Sequence, residues 1–176
     1  MKKVIYFIVG LVALVLIIAA FVKKDYVVIR SVEIYQPNHV VFDYIKHLKN
    51  QDNFSVWSKI DPKMKKTFTG IDGMVGFVSA WESENPDVGI GEQEIINITE
   101  GKRIDFELRF FKPWEMVSPA FMITEPLSED KTRLEWGFRG HMDYPMNLML
   151  LFMDMEDMLG KDLQDGLDNL KEILEE

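Results

Sequence analysis

The hydrophobic pattern begins with one continuous apolar run. The nineteen residues from Val4 to Val22 carry no charge, and within them Gly10 alone stands outside the apolar and aromatic set. At about 1.5 Å per residue, a helix of this length reaches roughly 28 Å, which is close to the thickness of the bilayer hydrocarbon core. We therefore predict a membrane-spanning helix over residues 4–22, inside an N-terminal anchor of residues 1–25.

A cleaved signal peptide is the alternative interpretation of this run. Lys2 and Lys3 form a basic start, and Ala19 and Ala20 offer a poor cleavage site. The run is longer than the usual apolar region of a signal peptide, and Lys23 ends it sharply, so we favour an uncleaved single-pass anchor. The numbers of basic residues on the two sides of the run are nearly equal, so they give little information on the orientation of the helix in the membrane. A very short basic tail before an early apolar run favours a domain outside the cytoplasm.

Beyond the anchor, apolar and polar residues alternate, as is typical of strands with one buried face. The clearest case runs through residues 103–110, where Ile104, Phe106, Leu108 and Phe110 alternate with charged residues. A turn at Pro37 favours a helix after the first strand, and a short helical piece is predicted near 50–57. Strands are predicted near 26–35, 65–69, 76–84, 89–99, 103–110, 117–125 and 132–140.

The last segment has helical periodicity and is expected to pack against the apolar face of the sheet. We predict one long helix that opens near Pro145 and runs to the C-terminus. Two glycines, Gly160 and Gly166, flank its apolar stripe, and we expect them to allow close approach to the sheet, with a kink as the alternative. The stripe comprises Met149, Phe152, Leu159, Leu163, Leu167, Leu170 and Leu174. Residues 26–176 are predicted to form one domain.

Composition and charge narrow the possible chemistry. The 176 residues include no cysteine, which excludes disulfides, thiolate metal sites and cysteine nucleophiles. Residues 26–176 carry 16 basic and 28 acidic residues, a formal charge of −12, which argues against nucleic acid as a partner. The three histidines are scattered, so we predict no metal site and no cofactor. The one basic patch is either a solvated loop or a contact with anionic head groups; it comprises Lys59, Lys63, Lys65 and Lys66.

An ordered set of segments follows the anchor. It comprises RSVEI at residues 30–34 with Pro37 and VFDY at 41–44, TFTGIDGMVGFVSAWESEN at 67–85, VGIGEQEI at 88–95, RIDFELRFFKPW at 103–114, LEWGFRG at 134–140 and DLQDGLDNLKEILE at 162–175. This set resembles the SRPBCC superfamily, the START-like or Bet v 1-like proteins, and within it the polyketide cyclase/dehydrase group. The resemblance implies an α+β helix-grip fold, in which a curved antiparallel sheet is wrapped around the long C-terminal helix, with an internal cavity between them. No segment is a catalytic motif.

The sequence offers large side chains for the wall of such a cavity. Flexible methionines crowd the start of the predicted long helix and suit a wall that fits varied apolar ligands, although ordinary core filling explains them too. Glu156 shares its helical face with Phe152 and Leu159, so it is either an internal acid or the partner of an arginine at the rim. The predicted wall comprises Trp81, Phe106, Phe110, Trp136, Phe138, Met149, Phe152, Met153 and Glu156.

Glu92 and Glu94 raise the same question on a strand, because they share a face with Ile96 and Ile98. A bulge after Gly91 would place both carboxylates outside, and we favour that arrangement.

Three function classes remain open. We favour a membrane-tethered binding protein for a hydrophobic small molecule or lipid. The second is a regulatory or protein-interaction module of the same fold. The third is a polyketide cyclase/dehydrase-like enzyme, which is the less favoured class because no catalytic signature transfers residue by residue. The pocket groups of such an enzyme would come from Trp57, Trp81, Arg109, Arg139 and Glu156.

Overall fold

The alternating stretches form a single antiparallel sheet in a computed structural model that describes residues 2–176. Seven strands lie in the order β1-β7-β6-β5-β4-β3-β2. They are β1 Asp25–Ile34, β2 Lys65–Thr69, β3 Val78–Glu82, β4 Ile90–Thr99, β5 Arg103–Lys112, β6 Met116–Ser128 and β7 Lys131–His141. The helices are α1 Lys2–Phe21, α2 Asn38–Lys46, α3 Gln51–Phe54, α4 Val56–Ile60 and α5 Met155–Glu175, with 3-10 turns at Leu48–Asn50 and Met146–Leu151. The helix-grip architecture expected from the sequence is confirmed.

The strand ends on one side of the sheet lie together next to the end of helix α1. Because all neighbouring strands are antiparallel, the first residue of β1 pairs with the last of β7, and the ends of the other strands follow in turn. We call this the anchor edge, since α1 joins the sheet there. It comprises Asp25, Lys65, Glu82, Ile90, Lys112, Met116 and His141.

The core lies between the inner face of the sheet and two helices. Helix α2 buries Val41, Phe42 and Ile45 against it. Helix α5 contributes its leucine stripe from Leu163 onward. The sheet supplies the inward residues of β1, β4, β5 and β7, which are fully buried; they include Val28, Ile34, Ile95, Ile104, Phe106 and Leu134.

The C-terminal helix begins about ten residues later than the sequence pattern predicted. A 3-10 helix covers Met146–Leu151, which we call the 3-10 segment, and α5 starts only at Met155. Asp154 is extended, and its side chain accepts a hydrogen bond from the Asp157 N–H at 3.0 Å, as an N-cap does. The prediction of one helix from Pro145 was therefore wrong, and Met149 and Phe152 do not share a stripe with the leucines.

The two glycines of α5 allow close approach, as expected. A side chain at Gly160 would place its Cβ 2.0 Å from the Arg30 guanidinium, and one at Gly166 would lie 2.9 Å from the Trp136 ring. Both facing residues belong to the sheet. Alanine at either position would therefore force the opposite side chain to move.

Strand β4 contains two irregularities that set which residues face inward. The pairing with β5 shifts between Ile90 and Gly91, and again between Ile95 and Asn97. Glu92 and Glu94 lie on the outer face, as favoured, where both pair with Arg109, but the first shift lies before Gly91 and not after it. The second shift was not expected. It separates Ile98, which packs against the core, from Ile96, which is exposed.

Helix α1 stands apart from the sheet and meets it at one place. It is long and apolar enough to cross a membrane, and a signal sequence satisfies the same criterion. Most of its surface is exposed, whereas Ala19 is buried. The side chain of Asn147, in the 3-10 segment, donates to the Ala19 carbonyl at 2.8 Å and to the Val22 carbonyl at 2.9 Å. The end of α1 is therefore joined to the segment that precedes α5.

Candidate functional site

A cavity of about 340 Å³ lies between the sheet and the helices on the anchor-edge side of the core. Helices α3 and α4 and the first turns of α5 form one wall, and the inner face of the sheet forms the other, with residues from all seven strands. Its volume is at the lower end of the range for small-molecule pockets, about 300–1,000 Å³. The space is large enough for a small organic ligand.

Aromatic rings give the cavity most of its wall. The Trp57 ring meets Trp136 edge-on with centroids 6.0 Å apart, and the Trp81 ring meets Phe110 edge-on at 5.9 Å. Gly91 makes room for one of these rings, because a Cβ there would lie 2.5 Å from the Trp81 ring. Such edge-to-face pairs fix ring orientations and leave apolar surface for a ligand.

A smaller polar region lies at the helical side of the cavity. Lys66 on β2 forms an ion pair with Asp52 on α3, and Ser58 bonds the same carboxylate at 3.3 Å. These groups satisfy one another, so the charges within this region are already balanced. On the opposite wall, burial raises the pKa of the Tyr26 hydroxyl, so the tyrosine stays neutral over the physiological range.

Five of the lining residues that are partly or fully exposed belong to connecting segments or to the ends of elements. These lie in the turn between β3 and β4, just before β2, at the start of β6 and at the start of α5. All but the last are next to the anchor edge. Three of the five are methionines, whose flexible side chains suit a rim that must adapt. They are Met64, Asp87, Val88, Met116 and Met155.

The structure brings together part of the predicted wall. Trp81, Phe110, Trp136 and Phe138 line the cavity, as does Trp57. Phe106 is fully buried in the core beside it and does not reach the open space. Arg109 and Arg139 lie on the outer face of the sheet and do not line the cavity. Arg109 forms ion pairs with Glu92, Glu94 and Glu107, and these carboxylates raise the pKa of its guanidinium.

The four predicted residues near the start of the C-terminal helix lie elsewhere. Met149 and Phe152 are exposed, and Met153 lies beyond the cavity lining. Glu156 pairs with Arg30, which also donates to the Glu156 carbonyl at 2.7 Å. This is the arginine partner that the sequence left as one of two possibilities. The late start of α5 explains the positions of Met149 and Phe152, since it breaks the stripe from which they were inferred.

Several lining residues were missed in the sequence. Tyr26, Met116 and Leu108 follow the same alternation that identified Phe110, so the signal was present for them. Gln93 was not considered because its face depends on where β4 bulges. Within residues 2–176 no group of three acidic or histidine side chains is placed to hold a metal ion.

Comparison with known proteins identifies the architecture. No family model matches the chain, and no curated protein sequence does. Among solved structures, truncated norcoclaurine synthase from Thalictrum flavum matches with a TM-score of 0.64 and 11% identity, over 85% of this chain and 92% of that one. The chain has a Bet v 1-like helix-grip fold.

Two further structures agree with this assignment. Ginseng major latex-like protein 151 from Panax ginseng matches with a TM-score of 0.60 and 14% identity, over 86% of this chain and 99% of that one. A protein from Nitrosospira multiformis matches with a TM-score of 0.57 and 17% identity, over 85% and 96%. At these identities the likeness extends to the fold alone, so function has to be argued from the cavity and the anchor.

Proposed function

We propose that the protein is a membrane-tethered binding protein for a hydrophobic small molecule or lipid, held in the cavity described above. The observation that carries this proposal is the position of the cavity. Several of its partly exposed lining residues lie next to the anchor edge, where the apolar helix α1 joins the sheet, and we propose that its mouth opens there. An apolar cavity that opens beside a membrane helix suits a ligand that dissolves in the bilayer.

The contact between α1 and the 3-10 segment supports an uncleaved anchor. Asn147 is fully buried, and its amide N–H groups donate to the carbonyls of Ala19, in the last turn of α1, and of Val22, just after the helix. Cleavage after Ala20 would remove the Ala19 carbonyl and with it one of the two hydrogen bonds that this amide donates. We therefore favour a chain that keeps the end of α1.

The same contact sets the height of the domain above the membrane. The Tyr144 hydroxyl reaches the Leu16 carbonyl at 3.3 Å, about 9 Å inside the end of the span at 1.5 Å per residue. Since aromatic side chains are enriched in the interfacial region, we propose that the last two turns of α1 lie in that region and not in the hydrocarbon core. Phe152 and Trp114, 87% and 81% exposed, are available to enter the same region. The 3-10 segment and the mouth then face the head groups.

Ligand binding is tested by mass spectrometry of small molecules that copurify with the full chain. Ser79→Trp fills the cavity, and Ile96→Trp adds the same ring to the exposed outer face of β4 as a control. We expect a stoichiometric apolar compound in the wild type and the control, and its loss from the Ser79 variant. A compound retained equally by all three is membrane lipid and contradicts cavity binding. A stable protein complex with an empty cavity would favour the regulatory alternative.

Membrane attachment is tested by fractionation of the full chain. We expect it to stay with membranes after an alkaline wash and to keep its original N-terminus. Recovery without detergent, with the N-terminus intact, would contradict the anchor. Protease added to sealed vesicles of known orientation then tests the proposed side, with the domain expected outside the cytoplasm.

The proposed mouth orientation is tested with surface substitutions in the 3-10 segment and just after it. Leu151→Asp and Phe152→Asp change exposed residues, so the melting temperature should hardly change. Ligand transfer from vesicles to the reconstituted protein should slow, because charged side chains enter the interface poorly. If these changes unfold the domain, the residues belong to its core and the mouth faces elsewhere.

A further inference from the structure

Gln93, on the inner wall of the cavity, carries a side-chain amide that has no protein partner. Gln93 lies on β4 between Glu92 and Glu94, which point outward, so its own side chain points inward. It is 8% exposed and lines the cavity. No hydrogen bond joins its amide to any side chain or backbone group of residues 2–176. A buried amide with two donors and an acceptor is therefore left unused.

The strand neighbours of Gln93 form no side-chain hydrogen bond with its amide. In the sheet register it lies between Ser79 on β3 and Leu108 on β5, and both line the cavity. Beyond them lie the Trp81 and Phe110 rings, which offer apolar surface. An unpartnered buried polar group destabilises the folded state, whereas leucine of similar size would not. Such a residue in an apolar wall indicates that its hydrogen-bond partner is a polar group of a bound ligand.

We propose that the Gln93 amide, with the Ser79 hydroxyl beside it, binds one uncharged hydrogen-bonding group of an otherwise apolar ligand. An amide, a hydroxyl or a carbonyl fits, because the glutamine both donates and accepts. A carboxylate would need a cation. Among residues 2–176, the cationic side chain that lines the cavity is Lys66, and it is already paired with Asp52.

The cavity also limits the shape of the ligand. A volume of about 340 Å³ admits a single aliphatic chain or a compact ring system, but not a phospholipid with two chains. The polar group would lie on the wall formed by β3 and β4, and the apolar body would lie against the aromatic rings. This inference rests on the proposed binding function and specifies the class of ligand for it.

Three ligands that share a nine-carbon chain test the inference. Decanamide ends in an amide, decanoate in a carboxylate and 2-methylundecane in an isopropyl group of the same shape. The affinity of each ligand is measured by its displacement of the fluorescent probe N-phenyl-1-naphthylamine from the full chain in lipid nanodiscs. Affinities for the same ligand are compared between variants, because the partition of that ligand into lipid is then the same in each measurement. We expect Gln93→Leu to lower the affinity for decanamide about tenfold and to leave that for 2-methylundecane unchanged or higher.

A matched control separates recognition from a general effect of the substitution. Gln164→Leu makes the same change on the exposed side of α5, where Gln164 bonds Asp168, and should alter neither affinity. Gln93→Leu should also raise the melting temperature of the ligand-free protein, because it removes an unpartnered amide. A lower melting temperature would show that Gln93 has a structural partner and would overturn the inference.

The remaining outcomes decide between the two proposals. If decanamide loses no affinity in Gln93→Leu, or if decanoate loses at least as much affinity as decanamide in that variant, recognition by Gln93 is wrong while cavity binding stands. If none of the three ligands displaces the probe from the wild type, the proposed binding function fails and this inference fails with it.

Discussion

The two halves of the inner face of the sheet differ, although the same strands run through both. In the half away from the anchor edge, inward side chains meet α2 and the later turns of α5 without open space. We call this the packed half; it includes Ile34, Ile104, Phe106, Leu134, Leu167 and Leu170. In the half next to the anchor edge, the inward side chains surround the cavity. We call this the hollow half; it includes Tyr26, Trp81, Gln93, Phe110 and Phe138.

The difference shows how one sheet can divide stability from ligand binding. Dense packing gives most of the stability, since each buried side chain removes apolar surface from water and fills space. A cavity forfeits those contacts. The hollow half is held in other ways, through the Arg109 cluster on the outside and the Arg30 pair at the start of α5. Substitutions in the two halves should therefore have different effects.

The largest expected effect comes from a matched pair on β5. Phe106→Ala, in the packed half, should lower the free energy of unfolding by about 3–5 kcal/mol, because it leaves a void among fully buried neighbours. Phe110→Ala, four residues along the same strand, should cost about 1 kcal/mol, because its ring already faces open space. Urea unfolding measures both. Equal losses would remove the distinction between the halves.

A smaller effect is expected at the start of α5. Gly160→Ala adds a methyl group where the Arg30 guanidinium lies, and it should cost about 1–2 kcal/mol despite the better helix propensity of alanine. In an Arg30→Ala background the same change should stabilise the protein by up to about 1 kcal/mol. A double-mutant cycle by thermal unfolding measures the reversal of sign. The same sign in both backgrounds would show that Arg30 is not what requires the glycine.

The outer-face cluster gives an effect that depends on salt. Arg109→Met leaves Glu92, Glu94 and Glu107 without their shared cation and should cost about 1 kcal/mol at low ionic strength. The cost should fall in about 1 M salt, where charge repulsion is screened. Arg133→Met, at a more exposed pair site on β7, is the control and should cost less. A loss independent of salt would point to packing by the arginine stem instead.

The smallest effect concerns pH at the anchor edge. His141 lies between Asp25, at 2.6 Å, and Asp143, at 3.4 Å, and the hydrogen bond to Asp25 chiefly raises its pKa. A raised pKa means that protonated His141 stabilises the fold below its ordinary value of about 6.5, and that this contribution is lost as pH rises through the folded value. His141→Asn should therefore lower the melting temperature slightly at pH 5.5 and leave it unchanged at pH 8.5. A greater loss at pH 8.5 would contradict this assignment.

The sequence predicted the packed half well, because burial there follows simple periodicity. Ile104 and Phe106 alternate with charged residues, and Leu163, Leu167 and Leu170 recur at helical spacing, so the face of each followed directly. Four of the wall residues were identified in the same way. Alternation assigns a face, however, and does not say whether the space in front of that face is filled. This is why Phe106 was grouped with Phe110.

The errors lie where periodicity continues through a structural break. Met149 and Phe152 match the spacing of the leucine stripe, yet Asp154 caps a new helix after them. An aspartate followed by Glu156 and Asp157 is an N-terminal signal that could have shown this. The face of Gln93 could not be derived, because it depends on the register shift between Ile95 and Asn97, which tertiary pairing sets.

Asn147 has a consequence for the rate at which a ligand is exchanged. Since its amide holds the end of α1, the mouth in the proposed arrangement keeps a fixed height and tilt above the bilayer. A ligand would then arrive by lateral diffusion in two dimensions, and occupancy would follow its mole fraction among the lipids rather than its solubility in water. Tethering of this kind makes a modest intrinsic affinity sufficient, because the effective concentration at the mouth is high. A single buried amide would thus set the supply of ligand to a cavity that it does not touch.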